Sequence, residues 1–235
     1  MISPDPQALW LEQLGRADGF AGWVFDQMRP HLAGNVLEVG CGHGTYTRLL
    51  AGAATSVVAL DLEESFVRAA QAATANLDNV SVSVGDATDD THVAEFDTVV
   101  MLDVLEHIAD DAAVLRKLGR ALRPGGRLIV KVPAFGWLHG AVDDAVGHHR
   151  RYTRANLSST LEDSGFTPKR VWYFNAAAIP GWWLNGVVMR RATPPGAQLA
   201  LFNKALPLIK IMDRLVAPFV GLSLFAVAQK RFERG

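Results

Sequence analysis

Residues 36–50 read VLEVGCGHGTYTRLL, and this stretch decides the fold. The apolar run VLEV is followed by glycines at alternate positions, Gly40, Gly42 and Gly44, and then by apolar residues at helical spacing. Glycine in a turn between a strand and a helix lets the backbone approach a ligand closely, and the start of the helix offers free N–H groups. The pattern therefore predicts a strand, a ligand-binding turn and a helix.

Strand-like and helix-like segments alternate beyond this stretch. The predicted strands are NVLEVG, SVVALDL, VSVSVGDA, FDTVVMLDV and RLIVKVP, and helical patterns separate most of them. The helical pattern DAAVLRKLGRALRPG is expected to stop at Pro124 and Gly125. Apolar strands joined through helices favour a parallel sheet covered on both faces. Right-handed crossovers between the strands then give a doubly wound sheet. The expected fold class is α/β, with a doubly wound, mostly parallel sheet.

Composition and charge limit the function classes. A chain of 235 residues with 49% hydrophobic and 20% charged residues is typical of one compact domain. Its net charge of -1 disfavours a general nucleic-acid binder and favours a small-molecule partner. The single cysteine, Cys41, excludes an internal disulfide framework. The start MISPDPQALW lacks the features of a signal peptide, so a cytoplasmic location is expected.

Acidic residues stand at the ends of four predicted strands. They are Glu38, Asp61, Asp86 and Asp103, and ligands of such sheets bind at the carboxyl ends of the strands. Carboxylates suit hydroxyls, amines and a cation better than phosphate. A dinucleotide fingerprint would require a third glycine where Thr45 stands, and the phosphate-loop pattern is absent. The sequence therefore argues against a nicotinamide dehydrogenase.

From about Val36 to Val132 the chain resembles the class I S-adenosylmethionine-dependent methyltransferases. The matching stretches are VLEVGCGHG, VVALDL, VSVGDA, FDTVVMLDVLEHI and LRPGGRLIV, and their order makes the resemblance specific. It implies S-adenosyl-L-methionine as the cofactor and a Rossmann-like methyltransferase fold. A fold of that family finishes with an antiparallel strand pair, which VWYFN (171–175) and LSLFAVAQKR (222–231) fit.

The resemblance also implies which residues bind the cofactor. They are Glu38, Gly40, Gly42, Gly44, Asp61, Leu62, Asp86, Ala87 and Asp103. The glycines would lie against the methionine part of the cofactor, and Asp61 would bind its ribose. Asp86 with Ala87 would contact the adenine, and Asp103 would line the amino-acid end. Glu38 would organise the site from behind.

The segment WLHGAVDDAVGHHRRYTRANL (137–157) follows the fifth strand and carries the candidate catalytic residues. Methyl transfer is an in-line displacement, so the enzyme aligns the acceptor and manages its proton. Histidine is the usual side chain for taking a hydroxyl proton near neutral pH. His148 is the predicted general base, with His149 second. His107 in LEHI is a weaker candidate, since that Glu-His pair looks more structural in the family.

Substrate binding is assigned to the same segment. Its pattern D-x-x-x-G-H-x-R-R-Y-T is similar to a bacterial subgroup linked to sugar, lipid-linked glycan or secondary-metabolite pathways. The predicted substrate-binding residues are Asp143, Arg150, Arg151 and Tyr152, because guanidinium groups suit anionic substrates. The alternative is a loop held by its own hydrogen bonds, with an arginine paired to Asp143 or Asp144 and Thr153 capping a helix.

No metal site is expected. The sequence has no Cys/His cluster with ligand spacing, and His148 and His149 are adjacent, which rarely points both rings at one ion.

The domain organisation predicted from the sequence has three parts. Residues 1–34 are expected to form a helical cap, residues 35–235 the methyltransferase domain, and residues at about 176–221 a hydrophobic helical insertion within it. Three uses of the insertion remain open: a lid over the acceptor pocket, a homodimer interface, or a peripheral contact with a membrane or lipid-linked acceptor.

The predicted function is methyl transfer to a small-molecule acceptor, at a hydroxyl oxygen of a secondary metabolite, sugar or lipid-linked compound. One alternative is N-methyl transfer to a small amine. Another is a non-catalytic partner protein that binds S-adenosylmethionine. A nucleic-acid or protein methyltransferase is disfavoured by the charge and by DVLE, which stands where an Asn/Asp-Pro-Pro-aromatic tetrapeptide would be.

Overall fold

The structure is a computed structural model that describes residues 18–86, 93–192, 196–216 and 219–231. Its strands are β1 (Asn35–Val39), β2 (Ser56–Asp61), β3 (Val80–Val84), β4 (Phe96–Leu102), β5 (Leu122–Pro133), β6 (Phe166–Phe174) and β7 (Ser223–Lys230). They form one seven-stranded sheet in the order β3-β2-β1-β4-β5-β7-β6. β1 to β5 run parallel, and β7 lies antiparallel between β5 and β6. The predicted α/β fold with its C-terminal antiparallel pair is confirmed.

Helices cover both faces of this sheet. They are α1 (Asp18–Met28), α2 (Thr45–Ala51), α3 (Glu64–Thr74), α4 (Asp111–Ala121), α5 (Ala141–Val146), α6 (Arg154–Asp163), α7 (Ile179–Trp182, continued by a π-helical segment, Trp183–Val188) and α8 (Gly196–Val216). Thr153 caps α6, since its hydroxyl accepts the amide N–H of Asn156 at 3.3 Å. The sequence predicted this cap as part of the alternative in which the segment is a loop held by its own hydrogen bonds.

The fourth helix ends earlier than the sequence predicted. α4 stops at Ala121, and Leu122 is already extended, with φ −77° and ψ 138°. Two physical causes agree on this boundary. The ring of Pro124 disfavours helical geometry at the preceding residue, and the fully buried Leu122 pairs with Phe96 of β4. β5 therefore begins before Pro124 and not after it.

The core lies in two layers, one on each face of the sheet. Successive side chains of a strand point to opposite faces, and β4 illustrates this. Val99 and Met101 belong to the cluster that includes residues of α4 and α6, whereas Val100 belongs to the cluster that includes residues of α1 and α2. All three are fully buried, as expected for a central parallel strand covered by helices.

The inserted segment is anchored at several points. α8 packs on α1, where the rings of Phe20 and Phe202 lie 6.1 Å apart. The buried carboxylate of Asp213 accepts the backbone N–H groups of Asn175 and Ala176, at 3.2 and 2.7 Å. The outer side of α8 exposes large apolar side chains: Leu208, Ile211, Met212 and Leu215.

None of the helices within the described residues is long and apolar enough to cross a membrane. The lid, dimer and membrane interpretations of the insertion all stay predictions. So do the domain boundaries, and residues 1–17 of the predicted cap lie outside the described part of the chain.

Candidate active site

The turn after β1, residues 40–44, is called the glycine loop below. Gly40, Gly42 and Gly44 have φ angles of 76°, 51° and 77°, a left-handed conformation that glycine adopts at little cost. The protein itself also excludes side chains here. A Cβ on Gly40 would lie 2.3 Å from Cγ2 of Val104, and one on Gly44 would lie 3.0 Å from Cα of Ala70. From the sequence, we explained these glycines by the close approach of a ligand. Packing inside the protein is a second reason for glycine at Gly40 and Gly44.

Asp61 fixes the glycine loop to the end of β2. Its Oδ2 accepts the N–H of Gly42 at 2.8 Å, and its Oδ1 accepts the N–H of Glu63 at 3.0 Å. The next residue, Leu62, is 71% exposed. Asp86 follows β3, the neighbour of β2 in the sheet, so it lies near the same edge. Ala87, the other predicted adenine contact, lies outside the described residues.

Glu38 lies buried on β1 beneath the loop. Its Oε2 accepts the hydroxyl of Thr47 at 2.6 Å. Burial raises the pKa of the Glu38 carboxyl to about 8; the Thr47 hydrogen bond opposes this rise, and the charge of Asp61 adds to it. The side chain stands behind the loop, as the resemblance implied.

Three strand ends carry a non-glycine residue in the left-handed region. They are Asp103 after β4, Phe135 after β5 and Asn175 after β6, with φ angles of 54°, 59° and 63°. Such strain persists where the surroundings determine the backbone, and it concentrates at functional sites. At Asp103 the reason is visible, because its carboxylate binds Nζ of the buried Lys131 at 2.6 Å. Sequence reasoning missed Lys131, although a lysine inside an apolar strand is itself a signal.

The segment after β5 folds back and brings Asp143 and His148 together. Nδ1 of His148 lies 2.7 Å from Oδ1 of Asp143, and the His148 side chain is 11% exposed. Arg151 binds both oxygens of the same carboxylate, at 2.8 and 3.0 Å. Burial alone would raise the pKa of Asp143, but the hydrogen bonds from His148 and Arg151 outweigh it and lower that pKa to about 2. An ionised Asp143 therefore holds the imidazole through Nδ1 and leaves Nε2 to face the other way.

On the Nε2 side of His148 lie Glu106 and His107, which belong to a 3₁₀ turn, Leu105–His107, after β4. Nε2 is 3.8 Å from Oε1 of Glu106, and the two imidazole rings are 4.6 Å apart. Burial raises the pKa of Glu106 well above its ordinary value. Burial and the neighbouring His148 lower the pKa of His107 to about 4. We call Glu106, His107, Asp143, His148 and Arg151 the His148 cluster.

The structure corrects two of the predicted substrate contacts. The Arg151 side chain is 1% exposed and is committed to Asp143, with a further bond to the carbonyl of Ala134. Tyr152 is 1% exposed and donates its hydroxyl to Asp111 at 2.9 Å. Neither side chain is accessible to a small molecule, because the loop uses both to fold onto the sheet.

The remaining predicted residues of this loop have other surroundings. Arg150 binds the carboxylate of Asp111 at 2.7 Å and keeps a third of its side chain exposed. His149 is exposed, and its backbone N–H donates to the carbonyl of Glu106. Asp143 is fully buried and contacts His148 rather than open space. His148 remains the histidine of this loop that is oriented by a carboxylate.

Comparisons with known proteins show a likeness to methyltransferases over part of the chain. Residues 37–130 match the family model described as a methyltransferase domain. This match covers less than half of the 235 residues of the chain. The match runs from β1 into β5 and includes the glycine loop, Asp61 and the turn with Glu106 and His107.

Individual relatives align with only part of the chain. A "Ubiquinone biosynthesis O-methyltransferase" of Paracidovorax citrulli is 34% identical over 45% of this chain and 45% of its own. A "Probable S-adenosylmethionine-dependent methyltransferase" of Mycolicibacterium smegmatis is 32% identical over 61% of this chain and 56% of its own. The chain thus spans about half the length of these curated relatives.

A solved structure supports the fold along nearly the whole chain. The S-adenosylmethionine-dependent methyltransferase of Mesorhizobium loti aligns with a TM-score of 0.63, 22% identity, and coverage of 91% of this chain and 100% of that one. At this identity the likeness establishes the fold. The specific D-x-x-x-G-H-x-R-R-Y-T pattern and the individual site roles stay predictions.

Proposed function

We propose that the protein transfers a methyl group from S-adenosylmethionine to a hydroxyl oxygen of a small-molecule acceptor. The observation that carries this proposal is the 2.7 Å contact between Asp143 and His148. It gives a nearly buried imidazole one fixed orientation, with Nε2 turned toward Glu106 and His107. A histidine oriented by a carboxylate is the usual arrangement for taking a proton from a hydroxyl.

The residues at the cofactor end fit S-adenosylmethionine. Each oxygen of Asp61 accepts one backbone N–H, so each retains a lone pair for a ribose hydroxyl. Asp86 at the neighbouring strand end suits the exocyclic amine of adenine. The carboxylate of Asp61 tolerates the positive charge of a sulfonium. The cofactor supplies a methyl group on a sulfur that is already a good leaving group.

The chain's own residues then have three tasks. The glycine loop and Asp61 fix the position of the cofactor at the end of β1 and β2. The segment after β5 aligns the acceptor in line with the methyl group. His148 takes the hydroxyl proton at Nε2 while Asp143 stabilises the imidazolium that forms.

Oxygen is favoured over nitrogen as the acceptor atom. A hydroxyl must lose its proton as the new bond forms, whereas an amine releases its proton afterwards and needs no dedicated base. The name of the Paracidovorax relative, an O-methyltransferase, supports the same choice. Methylation of an amine and cofactor binding without catalysis are the alternatives. A protein that binds cofactor, and whose behaviour toward every acceptor is unchanged by His148→Ala, would support the non-catalytic one.

Calorimetric titration with S-adenosylhomocysteine tests the foundation of the proposal. The wild-type protein is expected to bind it, and Asp61→Ala to weaken binding by about 1.5–3 kcal/mol, the range for a hydrogen bond to a charged group. Asp78→Ala is the matched control, because Asp78 is an exposed aspartate at the opposite end of the sheet. Absence of binding by the folded wild-type protein would overturn the proposal.

A further inference from the structure

Glu106 is a buried acidic residue that is not paired with a lysine or an arginine among the described residues. It is 0% exposed, and neither of its side-chain oxygens has a hydrogen-bond partner among the described residues. Two cations lie near it, but each is engaged elsewhere: Lys131 binds Asp103, and Arg151 binds Asp143. A buried acidic group that nothing satisfies is strongly unfavourable. The arrangement therefore lacks a positively charged partner.

The imidazole rings of His107 and His148 both lie beside Glu106. One ligand atom from each of Glu106, His107 and His148 lies within 4.8 Å of the others. Nδ1 of His148 is held by Asp143, and the ring of His107 makes its own hydrogen bond to the backbone of Val146. His148 therefore has one nitrogen fixed by a carboxylate and the other turned toward Glu106. Metal-binding histidines are typically oriented in this way, by a carboxylate or a backbone carbonyl on the second nitrogen.

We propose that Glu106, His107 and His148 bind one divalent transition-metal ion. Two imidazole nitrogens and one carboxylate oxygen match Zn²⁺ and its neighbours, whereas Mg²⁺ and Ca²⁺ prefer all-oxygen sites. Three protein ligands leave a coordination position open for water or substrate. The half-buried His107 and the 11% exposed His148 give the ion a path from solvent.

Metal binding was not expected from the sequence for a simple reason. His107 and His148 are far apart along the chain, so no ligand spacing marks them, and the adjacent pair His148 and His149 drew attention instead. The fold separates that pair and brings His148 to His107. The expectation of no metal rested on spacing, which carries no information about ligands joined by tertiary structure.

The charges around the site favour a bound ion with a role at the acceptor. Asp103 with Lys131 and Asp143 with Arg151 form two neutral pairs, so Glu106 is the one acid of these five groups without a paired cation, and an ion that binds it displaces its proton. A divalent ion leaves a net positive charge beside the strand ends. It would lower the pKa of a hydroxyl that binds at the open position. With the ion bound, Nε2 of His148 would be a ligand rather than the base, and the proton of the coordinated hydroxyl would pass to water. This last step rests on the proposed function; the binding of the ion does not.

Cobalt titration tests the site without acceptor or cofactor. The full chain is freed of metal with a chelator, titrated with Co²⁺ under visible absorption, and then competed with Zn²⁺. We expect one ion per chain, ligand-field bands from nitrogen and oxygen coordination, and displacement by Zn²⁺. Glu106→Gln and His107→Asn should each weaken Co²⁺ binding by roughly tenfold or more, since losing even a residue that only orients a ligand has an effect of that size.

The matched control is His139→Asn. His139 belongs to the same segment and lies 3.7 Å from Asp144, outside the three proposed ligands. It should leave Co²⁺ binding unchanged. Near-ultraviolet circular dichroism shows whether each variant is folded, and whichever of Glu106→Gln and His107→Asn is folded decides the comparison.

Two results would overturn the proposal. One is a metal-free wild-type protein that takes up no Co²⁺, and the other is a wild type that binds it no more tightly than the folded variants. Parallel titration of the metal-free protein with S-adenosylhomocysteine separates the two proposals. Retained cofactor binding without metal binding removes the metal site alone, whereas absent cofactor binding removes the proposed function.

Discussion

The two ends of the site are built in opposite ways. The glycine loop and Asp61 lie on consecutive elements and are held by backbone N–H groups. The His148 cluster joins a turn after β4 to a loop after β5, and the contacts that hold Asp143, His148 and Arg151 to one another are between side chains. Asp61 keeps part of its surface exposed, whereas Asp143 and Glu106 are fully buried.

Because of this difference, the two parts of the site should respond differently to substitution. A loop made by backbone conformation depends on residues that are close in sequence, and local substitutions change it locally. A cluster of buried charges depends on every partner, because removing one leaves the others in a low-dielectric environment without compensation. We therefore expect substitutions in the His148 cluster to damage stability and those in the glycine loop to damage cofactor binding.

The largest expected effect follows from Asp143→Ala. This change leaves the 1% exposed Arg151 without its partner and frees the ring of His148. Breaking a buried pair in this way destabilises a protein by about 3–5 kcal/mol. Urea denaturation measures the loss.

Asp144→Ala is the control for that substitution. Asp144 is the next residue, is 58% exposed and lies 3.7 Å from His139 and from Arg190. It should change the free energy of unfolding by no more than about 0.5 kcal/mol. Equal losses for the two variants would mean that the buried network is not what holds this loop.

The next effect sharpens the comparison from the side of the glycine loop. Gly40→Ala forces a side chain into a left-handed residue at about 1–2 kcal/mol. The clash with Val104 adds about 1–3 kcal/mol of overpacking. Gly147→Ala isolates the first of these, since Gly147 has the same φ of 76° and nothing within 4 Å of its Cβ position.

Thermal and urea denaturation of both glycine variants, with S-adenosylhomocysteine titration, give the answer. Gly40→Ala should lose more stability than Gly147→Ala and should also lose cofactor affinity. If the two variants lose the same stability and both keep full affinity, the packing of Val104 against the loop has no energetic weight.

A pH dependence is expected from Glu38. Its folded pKa of about 8 lies above the ordinary value of 4.5, so the folded protein binds this proton more tightly than the unfolded chain. Its contribution to stability is full below pH 4.5 and is lost as the pH rises through 8. Each pKa unit of difference corresponds to about 1.4 kcal/mol.

Glu38→Gln removes this titration while keeping a hydrogen-bonding side chain beside Thr47. The stability difference between variant and wild type should therefore shift in favour of the variant between pH 5 and pH 8. Glu64→Gln, at an exposed glutamate of α3 paired with Arg68, should follow the wild-type curve. Parallel curves for wild type and Glu38→Gln would show that burial does not hold the Glu38 proton.

Sequence reasoning predicted the turn at the glycine loop and the acid after the next strand because both are local. The glycine pattern and the acid that closes the next strand lie within one strand-turn-helix-strand unit, and their spacing is set by the unit itself. The parallel sheet also followed from the alternation of apolar strands and helices. The predicted end of α4 was wrong, because the extended conformation of Leu122 depends on its pairing with Phe96, a residue of another strand.

The His148 cluster was harder to predict, because a sequence does not show which side chains pair with one another in the fold. His148 was singled out, but whether Arg151 binds substrate or Asp143 depends on how the loop returns to the sheet. Glu106 was not singled out at all, since one glutamate in LEHI carries no sign of its complete burial. Charges that pair across the fold have no pattern along the chain.

Tyr152→Phe is the smallest expected effect and the most direct test of that limit. The hydroxyl donates to Asp111, which keeps Arg150 as a second partner at 2.7 Å. The backbone of Tyr152 exchanges hydrogen bonds with Pro133 and Phe135, and Phe can keep these. Removal of the hydroxyl should therefore destabilise the protein by about 1.5–3 kcal/mol, the range for a hydrogen bond to a charged group, as measured by urea denaturation, and leave the rate of methyl transfer unchanged.

The contrary result would be equally informative. Unchanged stability with a raised KM for the acceptor would mean that Tyr152 reaches the substrate, as its place in the sequence pattern suggested. A loop that opens to expose this ring would then be required, and the burial of Arg151 beside it would have to be temporary as well. Loss of stability alone assigns Tyr152 to the support of the loop, so that the sequence pattern marks how the acceptor end folds and His148 marks where it acts.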